Sequence, residues 1–200
     1  GVAFVVATSA AEAMDAAEMI VVDYKTLPCV VDAEEAMKPG APQLYDHIPG
    51  NLCYEFEYGN AEKAAAAFKT AAHVTKIVLD APRIAGNPME PKAAVVNYDK
   101  KRDIYDVYVP TQGITLMRPG LAIAVGVPED KIKVHAWDVG GGFGSKIYIY
   151  PEEAVCTWAT KKLRRPIKWT AERSEAFLGD AHGRDHVNKV KIGLDQNNKI

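Results

Sequence analysis

The stretch DVGGGFGSK, residues 138–146, sets four glycines, Gly140, Gly141, Gly142 and Gly144, around one aromatic residue, Phe143. Backbone N–H groups at a strand end that leads into a helix can meet a phosphate. Three readings therefore compete: a nucleotide loop, the loop of another cofactor, or a tight bend. Immediately upstream, KIKVHAWDV (131–139) reads as a strand. Downstream, PEEAVCTWATKKLRR (151–165) reads as a helix, with Pro151 at its first position, acids in the first turn and bases in the last. A phosphate-binding P-loop needs a Lys-Ser/Thr pair after its second glycine, and Lys146-Ile147 does not supply it. The dinucleotide fingerprint needs a helix that opens at the loop, whereas IYIY (147–150) delays the helix and the glycine spacing differs. Both nucleotide readings are poor. A glycine bend serving positive φ and close packing stays open beside a different cofactor's loop. Phe143 argues against the bend, because a bulky apolar residue among four glycines has little local support.

Further from the loop, strands and helices alternate in mixed order, which predicts an α+β fold. VAFVVAT (2–8) reads as a buried strand, and Ser9 with Glu12 as a capping box before an alanine-rich helix. IVVDYKTL (20–27) reads as a second strand, and the Pro- and Gly-rich KPGAPQLYDHIPGN (38–51) as a domain boundary. YEFEYGNAEKAAAAFKTAAHVTKIVLD (54–80) reads as strand, turn, helix and strand, with Asn60 as N-cap. AAVVNYD and IYDVYVP form a hairpin across DKKRD (99–103). Thr111-Gln112-Gly113 then leads into ITLMRPGLAIAVGV (114–127), a helix in which Pro119 marks a start or kink and Gly126 suits the far end. PIKWTAE (166–172) and RDHVNKVKIGL (184–194) read as strands.

Composition excludes several classes. The 200 residues are 48% hydrophobic and 25% charged with a net charge of -2, so there is no bulk electrostatic case for nucleic acid or an anionic membrane. The three cysteines, Cys29, Cys53 and Cys156, are far apart, which points away from a disulfide framework or a zinc site and towards a reducing, cytoplasmic setting. No apolar run reaches the length of a membrane span. The chain opens without methionine on a strand-like run and ends on the turn-like DQNNKI, and so reads as a piece of a longer protein.

With NPMEP (87–91), TQG (111–113), RRPIKWTAERSEAFLGDAHGRDH (164–186) and LPCVVDAEEAM (27–37) falling in the same order, the glycine loop resembles that of the molybdenum hydroxylases. This is the xanthine dehydrogenase, aldehyde oxidase and aerobic carbon monoxide dehydrogenase family, and the detail resembles the carbon monoxide dehydrogenase-like large subunits. The resemblance is collinear over essentially the whole chain. It implies that residues 1–38 are the end of an α/β hammerhead domain and 39–200 the first part of a molybdopterin-binding domain. It implies Gln112, Gly142, Phe143 and Gly144 as cofactor-facing residues. The glutamine donates to an oxygen on the metal without being a ligand, glycine permits close approach of main-chain N–H groups, and phenylalanine borders the centre. No residue of this chain is implied as a direct metal ligand. The family's general-base glutamate is expected beyond residue 200, so no catalytic residue is assigned, and the chain alone is expected to be inactive and free of molybdenum.

Further implications are a molybdopterin cofactor, a partner subunit with a 2Fe-2S iron–sulfur centre, an FAD partner subunit, and a paired heterotrimer. The substrate would be an aldehyde, a heterocycle or a carbon monoxide-like small molecule. Purine-oxidising members follow the loop's lysine with a substrate-gripping glutamate, and Ile147 stands there instead, which argues against xanthine. A non-catalytic module that keeps the fold without the cofactor is the rival reading. Among other residues, Glu90 is read as holding a bend between Pro88 and Pro91 rather than as a second site carboxylate. Trp137, Trp158 and Trp169 are expected in the core, and Arg173 with Glu172 and Glu175 on a solvated helix face. His73, His135, His182 and His186 lack helical ligand geometry.

Overall fold

The computed structural model describes residues 1–200. In chain order its elements are α1 (Ala10–Glu18), α2 (Ala33–Ala36), α3 (Ala61–Thr70), β1 (His73–Ala81), β2 (Ile84–Ala85), β3 (Ala93–Asp99), β4 (Ile104–Tyr108) and α4 (Ile114–Val125). There follow β5 (Ile132–His135), α5 (Pro151–Leu163), β6 (Ile167–Thr170), α6 (Arg173–Gly179), β7 (His182–Gly183) and β8 (His186–Leu194). Two compact units result, Gly1–Asp23 with Ala85–Gly183, and Tyr24–Ile84 with Arg184–Ile200. The mixture of helices and strands is the expected α+β class.

The first unit is built on a four-stranded sheet in the order β5-β4-β3-β6. The β3–β4 hairpin is antiparallel, with Val96 opposite Val107, and β6 pairs antiparallel with β3 on its other side. β5 runs parallel to β4, which requires a crossover rather than a tight turn between them; α4 is that crossover. Alternation places Ala94 and Val96 inward, where they join Tyr105, Val107, Met117, Leu121, Ile132, Ala159 and Ile167 in one core under α4 and α5. Each of the valine, leucine, isoleucine and methionine side chains among them contributes on the order of 1.5–3 kcal/mol on burial. Pro119 lies inside α4, and Gly126 ends that helix at φ 74°, its N–H donating to the carbonyls of Ala122 and Ile123.

The parallel β4–β5 pair positions the loops. Tyr108 is opposite His135 and the Val109 N–H donates to His135 O, so both chains leave the sheet at the same carboxyl edge. One exit leads to Thr111-Gln112 and the other to the glycine loop. In α/β units this is the edge where ligands gather.

The second unit joins β1 and β8 in a nine-residue antiparallel ladder, from His73 opposite Leu194 to Ala81 opposite His186. Asn60 caps α3 by accepting from the Lys63 N–H. The Pro- and Gly-rich segment is tied by Asn51, whose amide donates to Ala36 O and Pro42 O.

Several sequence expectations change. VAFVVAT, IVVDYKTL and the YEFEYG stretch are not strands: none has a sheet partner, and Val2, Val21, Leu27, Tyr54 and Phe56 are exposed. Their β-branched and aromatic content suits a strand, but a strand needs a ladder and a buried face, and neither forms here. β5 stops at His135, short of Trp137. Trp137 is 79% and Trp158 45% exposed, so only Trp169 of the three packs against the core. Trp137 instead lies beside Tyr108, which stacks on His135, and Phe4 meets Trp158 edge-on. No helix is long and apolar enough to cross a membrane.

Candidate cofactor site

The glycine loop is held from three directions. From the β4 exit, the Gln112 Oε1 accepts the Gly144 N–H at 2.9 Å and the Lys146 N–H at 3.3 Å. The Gln112 N–H and the Thr111 hydroxyl both donate to Lys146 O, at 3.0 Å each, and the buried hydroxyl of Thr111 also accepts the Gly113 N–H. From the NPMEP segment, Glu90 Oε2 accepts the Gly140 N–H at 2.8 Å and the Lys146 ammonium at 2.7 Å. From the residue that caps α5, the Tyr150 hydroxyl donates to Ser145 O at 2.6 Å and accepts the Ala181 N–H.

These bonds explain why the glycines are glycines. A Cβ on Gly142 would lie 2.2 Å from Gln112 Oε1, and one on Gly140 would lie 2.5 Å from Glu90 Cβ. Gly141 and Gly144 take φ of 90° and 89°, a left-handed region that side chains disfavour. Phe143 takes φ 51° all the same, and its ring is exposed. A bulky residue at positive φ is held by its surroundings at some cost, and such strain collects at functional sites.

Two backbone N–H groups of the loop, those of Gly142 and Phe143, have no acceptor within the chain, although Gly142 is buried. Because two amide donors face Gln112 Oε1, its carboxamide is fixed with the NH2 end away from them, and that end has no partner either. The result is three unused donor groups, two on adjacent loop residues and one on the Gln112 side chain that meets the loop. No group of three or more His, Cys, Asp or Glu side chains is placed to hold a metal ion. This donor set suits an anionic cofactor that brings its own metal, with the protein hydrogen-bonding to the cofactor's oxygen and sulfur atoms.

Beneath the loop lies a charged layer. Lys92, 4% exposed, sits 3.2 Å from the centre of the Tyr150 ring and 2.9 Å from Asp180 Oδ1, an ion pair without hydrogen-bond alignment. Glu153 is also buried; it accepts the Tyr150 N–H at 2.8 Å, and burial pushes its carboxyl up to about 7. Burial likewise raises Tyr150 and Glu175. Glu90 moves the other way, because hydrogen bonding to Lys146 holds its carboxyl below the ordinary range.

Of the residues expected at the site, the structure brings Gln112, Gly142 and Gly144 into direct contact, with Phe143 projecting from the same loop. Glu90 does more than hold a bend, since it ties the loop at both ends. Arg173 is not merely solvated: its guanidinium donates to Asn87 Oδ1 at 2.7 Å and Met89 O at 3.0 Å, which anchors the segment bearing Glu90. Ser145, Lys146, Tyr150 and Thr111 were not singled out as supports in the sequence. No local pattern marks them; the burial of the Lys146 side chain appears only once the chain folds.

The fold and the site together define a cofactor-binding domain. A profile of the molybdopterin cofactor-binding domain matches residues 44–200, and the chain belongs to that family. Its relatives are large subunits of molybdenum hydroxylases, as the motifs imply. The chain is 34% identical over 192 residues to the 6-hydroxypseudooxynicotine dehydrogenase complex subunit gamma of Paenarthrobacter nicotinovorans, covering 94% of this chain and 23% of that protein. It is 31% identical over 211 residues to the carbon monoxide dehydrogenase large chain of Hydrogenophaga pseudoflava, covering 100% of this chain and 26% of that one. Among solved structures, quinoline 2-oxidoreductase from Pseudomonas putida 86 matches with a TM-score of 0.83 and 32% identity over 94% of this chain and 24% of that one. The Cu,Mo-CO dehydrogenase matches with a TM-score of 0.84 and 29% identity, over 94% and 25% of the two chains. The chain thus spans about a quarter of the length of these relatives.

Proposed function

We propose that this chain forms one wall of the molybdopterin site in the large subunit of a molybdenum hydroxylase. The enzyme would oxidise an aldehyde, an aromatic heterocycle or a carbon monoxide-like small molecule with water as the oxygen source. When bound, the molybdenum cofactor supplies two-electron oxidation and activates that water. The single observation that supports this reading most strongly is the fixed carboxamide of Gln112, whose oxygen is taken by the Gly144 and Lys146 N–H groups.

In this reading Gln112 would hold the cofactor by donating from its NH2 end, and the N–H groups of Gly142 and Phe143 would donate beside it. The exposed Phe143 ring would border the centre, where it could hold a flat substrate. Gly144, with no side chain, leaves room for the cofactor to approach. Ile147, next to the buried Lys146, offers no hydrogen bond to a polar ring edge, which favours an apolar or small substrate over a purine. Residues 1–38 would close a preceding α/β domain and 39–200 open the cofactor domain; the start of the family match at residue 44 supports that boundary. Electrons would leave to a 2Fe-2S subunit and then to an FAD subunit of a cytoplasmic assembly. That one relative is a subunit of a dehydrogenase complex supports a partnered enzyme.

The test is molybdenum and pterin content of the full-length subunit, purified as wild type and as Gln112→Ala. Stoichiometric molybdenum in the wild type, reduced about tenfold or more in the variant, is expected, since outer partners of a metal centre commonly change affinity about 10- to 100-fold. Equal content in both would overturn the role of Gln112, and none in either would overturn the reading itself.

A further inference from the structure

The geometry points to Glu90 as a positioning residue for the cofactor site: its carboxylate ties both shoulders of the glycine loop and so sets where the unused donors between them point. This rests on the reading that the loop face holds the cofactor. Gly140 opens the loop and Lys146 closes it, and a single oxygen, Glu90 Oε2, accepts from both, at 2.8 and 2.7 Å. The Glu90 N–H in turn donates to Gly140 O at 3.2 Å, so side chain and backbone grip the same residue. The Lys146 side chain is 1% exposed and Glu90 is its sole anionic partner. A buried ammonium is costly without a paired anion, so this pair has a strong reason to stay closed.

The two shoulders bracket the N–H groups of Gly142 and Phe143, and the same Lys146 whose ammonium Glu90 holds donates its own N–H to Gln112 Oε1. Releasing the ammonium therefore loosens the contact that orients the Gln112 carboxamide. Glu90 itself is anchored from outside the loop, by the Arg173 bonds to Asn87 and Met89 on its own segment. A rigid outer residue holding an inner flexible loop is the arrangement by which outer partners tune a metal centre.

Glu90→Gln keeps the shape and can keep an amide oxygen on both donors, but it removes the negative charge that pairs the buried Lys146 ammonium. In the full-length subunit with its natural partners, we expect Glu90→Gln to lose molybdenum content by about tenfold and to melt earlier. Glu90→Gln/Lys146→Met removes the unpaired cation, so its melting temperature should return towards wild type while molybdenum content stays low. A purely structural pair would restore both together, and that outcome overturns the proposal. Amide exchange in the apo subunit separates this from the cofactor reading. Faster exchange at Gly144 and Lys146 in Glu90→Gln, with α5 unchanged, is expected whether or not a cofactor is ever found. Unchanged loop exchange would sink the positioning role, whereas a wild type that never holds molybdenum would sink the reading beneath it.

Discussion

Glu153 is the buried acid whose replacement should have the clearest effect on stability. It is 4% exposed, its Oε2 accepts the Tyr150 N–H, and burial lifts its carboxyl from an ordinary 4.5 to about 7. A folded value above the unfolded one means that folding takes up a proton between the two. The favourable contribution is complete below about 4.5, declines as pH rises, and is gone above about 7. A shift of that size corresponds to roughly 3 kcal/mol in all, of which about 2–3 kcal/mol falls between pH 5 and pH 8. For a chain of this length that is roughly 5–10 °C in melting temperature. Glu153→Gln keeps an oxygen for the Tyr150 N–H and cannot ionise. Thermal unfolding followed by circular dichroism at about pH 5 and pH 8 should show the wild type losing several degrees more than the variant. Glu175, also raised by burial, is present in both proteins, so subtracting the two profiles isolates Glu153. Parallel profiles would refute the argument that Glu153 is desolvated without adequate compensation from Lys92.

Other consequences follow from the same packing. Gly142→Ala places a Cβ 2.2 Å from Gln112 Oε1, and should cost about 1–3 kcal/mol by denaturant titration and displace the carboxamide. Gly120→Ala brings a Cβ to 1.8 Å from Ile149 Cδ1; it should cost about 1–2 kcal/mol, and Ile149→Val in the same chain should recover most of that. Phe143→Gly relieves positive-φ strain but loosens the unfolded chain, so stability should change by no more than about 1 kcal/mol while cofactor retention by the full-length subunit falls.

What was legible in the sequence was local. The Ser9–Glu12 capping box, the Asn60 cap, Pro151 at the first turn of α5 and the β3–β4 hairpin all form where the residues say, because each depends on neighbours a few positions away. The glycine loop and Gln112 were legible for a different reason, since their motifs occur in a fixed order along the chain. Residues 2–8 and 20–27 misled because strand-like composition does not supply a sheet partner. The tie from Glu90 to Gly140 spans fifty positions, and no periodicity connects them. Burial of Glu153 was equally hidden: an acid in a first helical turn is ordinarily a solvated dipole partner, and here packing against Tyr150 and Lys92 encloses it. Arg173 looked like one more surface charge until the fold brought Asn87 and Met89 to it.

The central claim, that the Gln112–glycine-loop face holds the molybdenum cofactor, is tested most directly by anomalous diffraction at the molybdenum edge from crystals of the full-length subunit. A single strong peak whose bound oxygen lies within hydrogen-bonding range of Gln112 Nε2, bordered by Phe143 and Gly144, is the predicted result. A molybdenum peak on another face of the domain, or none in crystals of a catalytically active enzyme, would contradict it.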